Sequence, residues 1–362
     1  MKKTKNTISI LLLITSAFGL MADSCKKKDA SANNPTLETL SVPEGFPAMA
    51  YDFTQNPLTK EGFELGRKLF YDGRLSRDGN FPCASCHQQF AAFSSFDHSF
   101  SHGFDDGFTT RNAPGLFNLA WQKEFHLDGG INHLDVQPLA PLTAPNEMAE
   151  TIENIIRKLK ADPDYPRMFR SAFGNDEINS QRLLRALSQF MVSVVSSQSK
   201  YDLVKKGESS FTPYEERGYT LFKAKCASCH TEPLFTDLSY RNIGLPGIPN
   251  LLDAGRMRIS NDPADSMKFK VPSLRNVVLT QPYMHDGRFA SIEACLQHYT
   301  SGVMDGPTVD PLVKNRIALN RSEIVDLVAF LRTLTDTVMT KNPRFADPES
   351  KPIFNPDPEQ HD

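Results

Sequence analysis

The sequence predicts an all-α fold of two domains, and three observations point to it. A five-residue string occurs twice, as Cys83-Ala84-Ser85-Cys86-His87 and as Cys226-Ala227-Ser228-Cys229-His230. Each copy follows a similar segment, Gly66-Arg67-Lys68-Leu69-Phe70 before the first and Gly218-Tyr219-Thr220-Leu221-Phe222 before the second. Elsewhere the apolar residues recur at helical spacing between long Gly/Pro/Asp loops. Cys-x-x-Cys-His is the attachment signature of a c-type haem. The two thiols add across the haem vinyl groups, and the histidine becomes an axial ligand to the iron. A single copy could be a thioredoxin-like redox pair, and two Cys-x-x-Cys pairs could make a four-thiolate zinc site. Neither explains a histidine after each pair.

The chain opens with Lys2, Lys3 and Lys5 before an apolar run from Ile8 to Met21, which reads as an export signal over 1–25. The run is too short for a comfortable membrane span. Cys25, followed by three lysines, resembles the lipidation cysteine of a bacterial lipoprotein; plain secretion is the alternative, because Asp23 and Ser24 depart from the usual box. Residues 26–44 are polar and read as a tether. The first helix is expected over Leu58–Tyr71, with Phe63, Leu65, Leu69 and Phe70 on one face and Asp72-Gly73 as its stop. Further amphipathic helices are expected over Met148–Lys160 with Asn146 as N-cap, Ser180–Ser196, Glu215–Phe222, Ile292–Tyr299 and Arg321–Leu334. The repeat of helix and haem string indicates two cytochrome-c-like domains. They are placed at 45–205 and 206–342, with a Pro- and Asp-rich, poorly ordered tail over 343–362. Four of the six cysteines are haem thiols and Cys25 is a lipid site, which leaves Cys295 as a buried free thiol.

With 40 basic and 43 acidic residues the formal net charge is −3, which argues against a general nucleic-acid binder. Two attached haems alone would suit a plain electron carrier. Two further blocks suggest an enzyme. After the first string come Arg111-Asn112-Ala113-Pro114, Leu127-Asp128-Gly129-Gly130, Gln137 and Glu147-Met148. After the second come Phe269-Lys270-Val271-Pro272-Ser273-Leu274-Arg275-Asn276-Val277 and Thr280-Gln281-Pro282-Tyr283-Met284-His285-Asp286-Gly287. Together these resemble the bacterial diheme cytochrome c peroxidases and the related diheme MauG enzymes, over about residues 45–340.

The resemblance implies that the first haem is peroxidatic, with His87 as proximal ligand, Glu147 as the acid/base over the distal face and Gln137 beside it. Peroxide binds iron once it loses a proton, and its O–O bond breaks heterolytically when the proton reaches the leaving oxygen; one carboxylate can make both transfers. Without the resemblance, the favoured reading of Glu147 is a carboxylate stabilised by a helix N-terminus. His102 stands near the place of a histidine that ligates the first iron in resting peroxidases, and otherwise reads as a solvated loop residue. The second haem has His230 as proximal ligand. Its sixth ligand, a methionine in the peroxidases and a tyrosine in MauG enzymes, falls at Tyr299; Met304 and Met284 are the alternatives. The family places calcium between the domains, on Asn112 and the carbonyls of Thr280 and Pro282, a set of oxygens suited to a hard cation. It also places a tryptophan before the first Asp-Gly, where this chain has Leu127; Trp121, Phe125 or direct haem-to-haem transfer would then carry electrons.

The expected protein is therefore a diheme c-type peroxidase with two haem c groups and one Ca2+. It would face the periplasm on a lipid anchor, as a monomer or homodimer. It would reduce hydrogen peroxide to water with electrons from a small cytochrome c or cupredoxin entering at the C-terminal haem. The alternatives are a MauG-like oxidase that acts through high-valent iron on a protein or small-molecule substrate, and a non-catalytic diheme carrier.

Overall fold

The computed structural model describes residues 34–248, 251 and 253–350. The export signal and Cys25 lie outside them. Helix α1 (Lys60–Tyr71) starts two residues later than its apolar pattern suggests, because the Thr59 hydroxyl accepts from the Gly62 N–H and caps it. Helices α2 (Ile152–Ala161), α3 (Tyr165–Phe173) and α4 (Ser180–Ser193) follow the first string, and α1 packs on α3 and α4. Their apolar faces, with Phe63, Leu69, Phe70, Phe169, Leu187 and Phe190, make one buried cluster. In the second half, α5 (Pro213–Lys225) opens with a Thr212–Glu215 capping box. It packs on α7 (Arg321–Arg332), and α6 (Ile292–Gln297) lies against them. Phe222, Phe235, Leu327 and Phe330 form a second cluster there.

The sequence repeat has a packing counterpart in its two glycines. A Cβ on Gly66 would lie 1.9 Å from the Ala186 carbonyl oxygen of α4, and one on Gly218 would lie 2.0 Å from the Asp326 carbonyl oxygen of α7. In each half, the helix before the haem string crosses a partner at backbone contact, and only glycine leaves room for that.

Sheet is confined, among the described residues, to one antiparallel ribbon of β1 (Tyr240–Arg241) and β2 (Phe269–Lys270). The ribbon ties the halves together, since the Lys270 N–H donates to the Leu127 carbonyl at 2.7 Å. Other ties are polar. Arg111 bridges Asp128 and Asp253, at 2.6 Å each. The Asn112 N–H donates to the His285 carbonyl at 2.8 Å. Arg275, fully buried, forks onto Asp202 at 2.7 and 2.9 Å.

Four expectations change. Residues 36–44 do not hang free as a tether: the Glu38 N–H donates to the Leu58 carbonyl, the Lys60 N–H donates to the Thr36 carbonyl, and Leu40 packs on the first cluster. The first part of the tail is docked as well. Phe345 is buried in the first cluster, and Lys68 pairs with Glu349 at 2.6 Å. Asn146 is not a helix cap; its side chain donates to the Phe108 carbonyl. Ala149, in a left-handed conformation at φ +53°, turns the chain first, and Thr151 caps α2 instead. Finally, α6 ends at Gln297 and passes into a wider turn over His298–Gly302 that carries Tyr299. Such π-type turns gather at functional sites. Cys295 is a free, part-buried thiol, and burial pushes its pKa up to about 12.

Candidate active site

The first string folds as a single helical turn, Cys83–Cys86, at the wall of a cavity. Cys83, Cys86, His87, His102, Gln137 and Glu147 line it, together with apolar Phe70, Leu116, Leu187 and Met191. Thiols, an imidazole and a carboxyl on an otherwise apolar wall suit a flat apolar group anchored at one edge. The His87 Nδ1–H donates to the Phe93 carbonyl at 2.8 Å. This fixes the tautomer and leaves Nε2 to bind iron. Burial lowers the pKa of His87, which favours the neutral, ligating form. His230 is anchored in the same way: its Nδ1–H faces the carbonyls of Phe235 and Pro272, at 3.2 and 3.1 Å, and burial lowers its pKa. Both strings therefore fit covalently held haem.

Glu147 reaches the first cavity from the turn before α2. Burial alone raises its pKa, and its carboxyl takes no hydrogen bond among the described residues. A carboxyl so placed is free to meet a small ligand and holds a proton at higher pH than an ordinary one. Gln137 comes from a 3₁₀ turn that ends at Val136. The structure thus brings Gln137 and Glu147 to one wall with the first string. His102 also lines the cavity but is exposed, its ring packed on Phe108 with 4.6 Å between centroids.

Tyr299 lies apart from these, in the second half. Its phenol is desolvated and lies near Cys295, Cys226 and Cys229. Burial pushes its pKa up. Met304 is 55% exposed at the surface. Asn112 is buried, with its side-chain amide donating to the carbonyls of His98 and Ser99 at 3.1 and 3.3 Å. Thr280 turns its hydroxyl to the Val277 carbonyl. No cluster of three or more His, Cys, Asp or Glu suited to a metal occurs among the described residues. Trp121 is buried in the first cluster, its Nε1–H donating to the Pro47 carbonyl and its ring edge-on to Phe46.

One site residue escaped the sequence reading. His126 lies in a left-handed conformation at φ +65° and brings its Nε2 to 3.3 Å from Nε2 of Gln137. Its signal was available in a second internal repeat. Phe125-His126-Leu127-Asp128-Gly129 and Tyr283-Met284-His285-Asp286-Gly287 form the same turn. In both, the first residue's N–H bonds six residues on, Phe125 to Ile131 and Tyr283 to Phe289, and the second residue has positive φ. His126 takes the place that Met284 has in the other half.

A family model described as di-haem cytochrome c peroxidase matches residues 60–210, and one described as cytochrome c matches 215–335. The methylamine utilization protein MauG of Methylorubrum extorquens is 39% identical over 293 residues, 77% of this chain and 79% of that protein. The cytochrome c551 peroxidase of Nitrosomonas europaea is 35% identical over 277 residues, 75% of this chain and 79% of that protein. Among solved structures, a MauG-like protein associated with microbial copper homeostasis superposes with a TM-score of 0.76 at 34% identity, over 86% of this chain and 99% of that one. The diheme peroxidase BthA of Burkholderia thailandensis shares the fold, with a TM-score of 0.69 at 24% identity over 85% of this chain and 92% of that one.

Proposed function

The chain belongs to the di-haem cytochrome c peroxidase and MauG family and is a haem-dependent oxidoreductase of two cytochrome c domains, and from that premise we propose that it reduces hydrogen peroxide to water at its first haem. The observation that carries this reading is Glu147, a desolvated carboxyl without a hydrogen-bond partner among the described residues, on the cavity wall that also holds Cys83, Cys86 and His87. Haem held by Cys83, Cys86 and His87 would supply the iron and the two-electron redox chemistry. Glu147 removes the proton from the near oxygen and returns it to the far one, where water leaves. Gln137 orients peroxide by hydrogen bonding. Apolar Phe70, Leu187 and Met191 keep bulk water from the rest of the cavity. His230 would hold the second haem, the entry point for electrons from a small periplasmic cytochrome c or cupredoxin.

The remaining parts of the proposal are structural. The domains divide at 205/206. Asn112 with the carbonyls of Thr280 and Pro282 holds Ca2+ near the ties between the halves. The mature protein sits on the periplasmic side through a lipid on Cys25. Among the described residues, no helix is long and apolar enough to cross a membrane. The test is steady-state consumption of hydrogen peroxide with a reduced small cytochrome as donor. Two donor molecules oxidised per peroxide is the expected stoichiometry, and a protein that leaves donor and peroxide unchanged would defeat the reading.

Tyr299 favours a second reading, a MauG-like oxidase of a protein or small molecule, because its phenol is set among the second string's cysteines. A tyrosine oxygen on that iron stabilises its oxidised states, where a methionine would raise the potential. Tyr299→Met is accordingly expected to raise the potential of the second haem while leaving the first unchanged. The check is a spectroelectrochemical titration of both proteins. An unaltered second potential would show that Tyr299 is no ligand.

A further inference from the structure

We propose that Tyr240 is a redox-active tyrosine, with Glu124 as its proton acceptor, set between the two haem-binding strings; this rests on the peroxide reading given above. Tyr240 pairs with Lys270 across the β1–β2 ribbon. From that pair, one hydrogen bond leads to the Leu127 carbonyl, beside His126 of the first site. Two residues further along, the Pro272 carbonyl anchors His230 at 3.1 Å. On the other side of β1, the Asp237 N–H donates to the Cys229 carbonyl at 2.8 Å, and Arg241 pairs with Asp237 at 2.8 Å. The phenol itself rests on the turn of the first site. A Cβ on Gly129 would lie 1.9 Å from the Tyr240 oxygen, and Gly129 has φ +71°. That glycine is what lets the phenol touch the backbone three residues from His126.

The surroundings of the phenol suit coupled loss of a proton and an electron. Its O–H donates to Glu124 Oε2 at 2.6 Å. The Arg256 guanidinium lies 3.8 Å over the ring, which disfavours positive charge on it. Electron loss at this ring therefore requires the proton to leave as well. Glu124 has an acceptor oxygen in place for it: the Tyr240 hydrogen bond and the Arg256 charge hold its carboxyl below the usual range, so it is ionised, a weaker base than a free carboxylate but one already bonded to the phenol. The Glu124 side chain is 39% exposed, so the proton it accepts exchanges with water. The step balances. One electron passes from Tyr240 to an oxidising equivalent that hydrogen peroxide leaves at the first haem. The phenolic O–H breaks and its proton binds Glu124 Oε2, leaving a neutral tyrosyl radical beside a neutral carboxylic acid. A donor electron and the returning proton restore the pair. Leu127, within the same turn, has a side chain that cannot hold a hole; a phenol bonded to a carboxylate can.

The experiment is electron paramagnetic resonance of the full-length holoprotein frozen after mixing with hydrogen peroxide, with haem absorption recorded on the same samples. A tyrosyl radical signal that narrows on ring-deuterated tyrosine is expected in the wild type. It is expected to vanish in Tyr240→Phe and to lose most of its amplitude in Glu124→Gln, which preserves the ring should the first variant fold poorly. The same signal persisting in both variants would overturn the assignment. So would haem absorption that responds to peroxide with no tyrosyl signal at all. Haem absorption that does not respond overturns the peroxide reading, and the role of Tyr240 with it.

Discussion

A Glu147→Gln protein is expected to keep both haems and to lose peroxide turnover by about 10²–10⁴-fold, the range for removing a positioned acid/base. Glutamine matches the carboxylate in size but can neither take nor return a proton. Haem content per chain, measured beside turnover, separates chemistry from assembly; a variant of normal activity would remove Glu147 from the mechanism. The pH profile carries independent information. Only ionised Glu147 can accept the first proton, and burial raises its pKa above that of an ordinary carboxyl. Turnover in the wild type should therefore fall on the acid side at a higher pH than a solvated glutamate would give. That limb should be missing from whatever residual rate the Gln variant shows.

Arg275→Ala is expected to cost about 3–5 kcal/mol of stability, as for any buried ion pair broken on one side. Arg275 is 0% exposed and makes a two-pronged bond to Asp202, with Phe46, Tyr201 and Phe235 around its guanidinium. Removing it leaves the buried Asp202 carboxylate with only its bonds from Ser199 and frees the Pro233 carbonyl. Chemical denaturation of the two holoproteins measures the loss, and a change below about 1 kcal/mol would contradict the role given to the pair. The acid side again has a definite sign. Burial opposes charge on Asp202, but its bonds to Arg275 and Ser199 outweigh that and hold its carboxyl below the usual carboxylate range in the folded protein. The stability this supplies is present above the unfolded pKa and is lost as pH falls through the folded one. The Ala variant keeps the Ser199 bonds and should show a weaker acid dependence.

Much of this was legible in the sequence because the pattern and the physics coincide. A haem needs two thiols and an imidazole at fixed spacing, so the strings declared themselves. Gly66 and Gly218 stood out in the repeat, and both mark a helix crossing too close for any side chain. Gln137 and Glu147 stand ten residues apart and meet on one wall because a short helix, Leu139–Thr143, folds the chain between them. His126 was not legible in this way. A histidine in an irregular turn belongs to no period, and its direction is set by a left-handed backbone that no local propensity announces. Helix starts failed for a related reason: Asn146 and Thr151 are both competent caps, and the turn at Ala149 decides between them. The docked ends were missed because Leu40 and Phe345 are isolated apolar residues in polar stretches, and Phe345 meets its partners Phe63, Phe93 and Phe190 only in three dimensions.

The central claim is that peroxide reacts beside His87 with Glu147 as the proton carrier. Stopped-flow absorption with hydrogen peroxide tests it most directly, on wild-type and Glu147→Gln proteins, each fully oxidised and reduced by one electron. The predicted result is a fast change in the half-reduced wild type and little in its oxidised form, with the fast phase lost in the variant. Rapid reaction of the oxidised form would favour the MauG-like reading. A wild-type protein that ignores peroxide in both states, or a variant that reacts as fast as the wild type, would contradict the account.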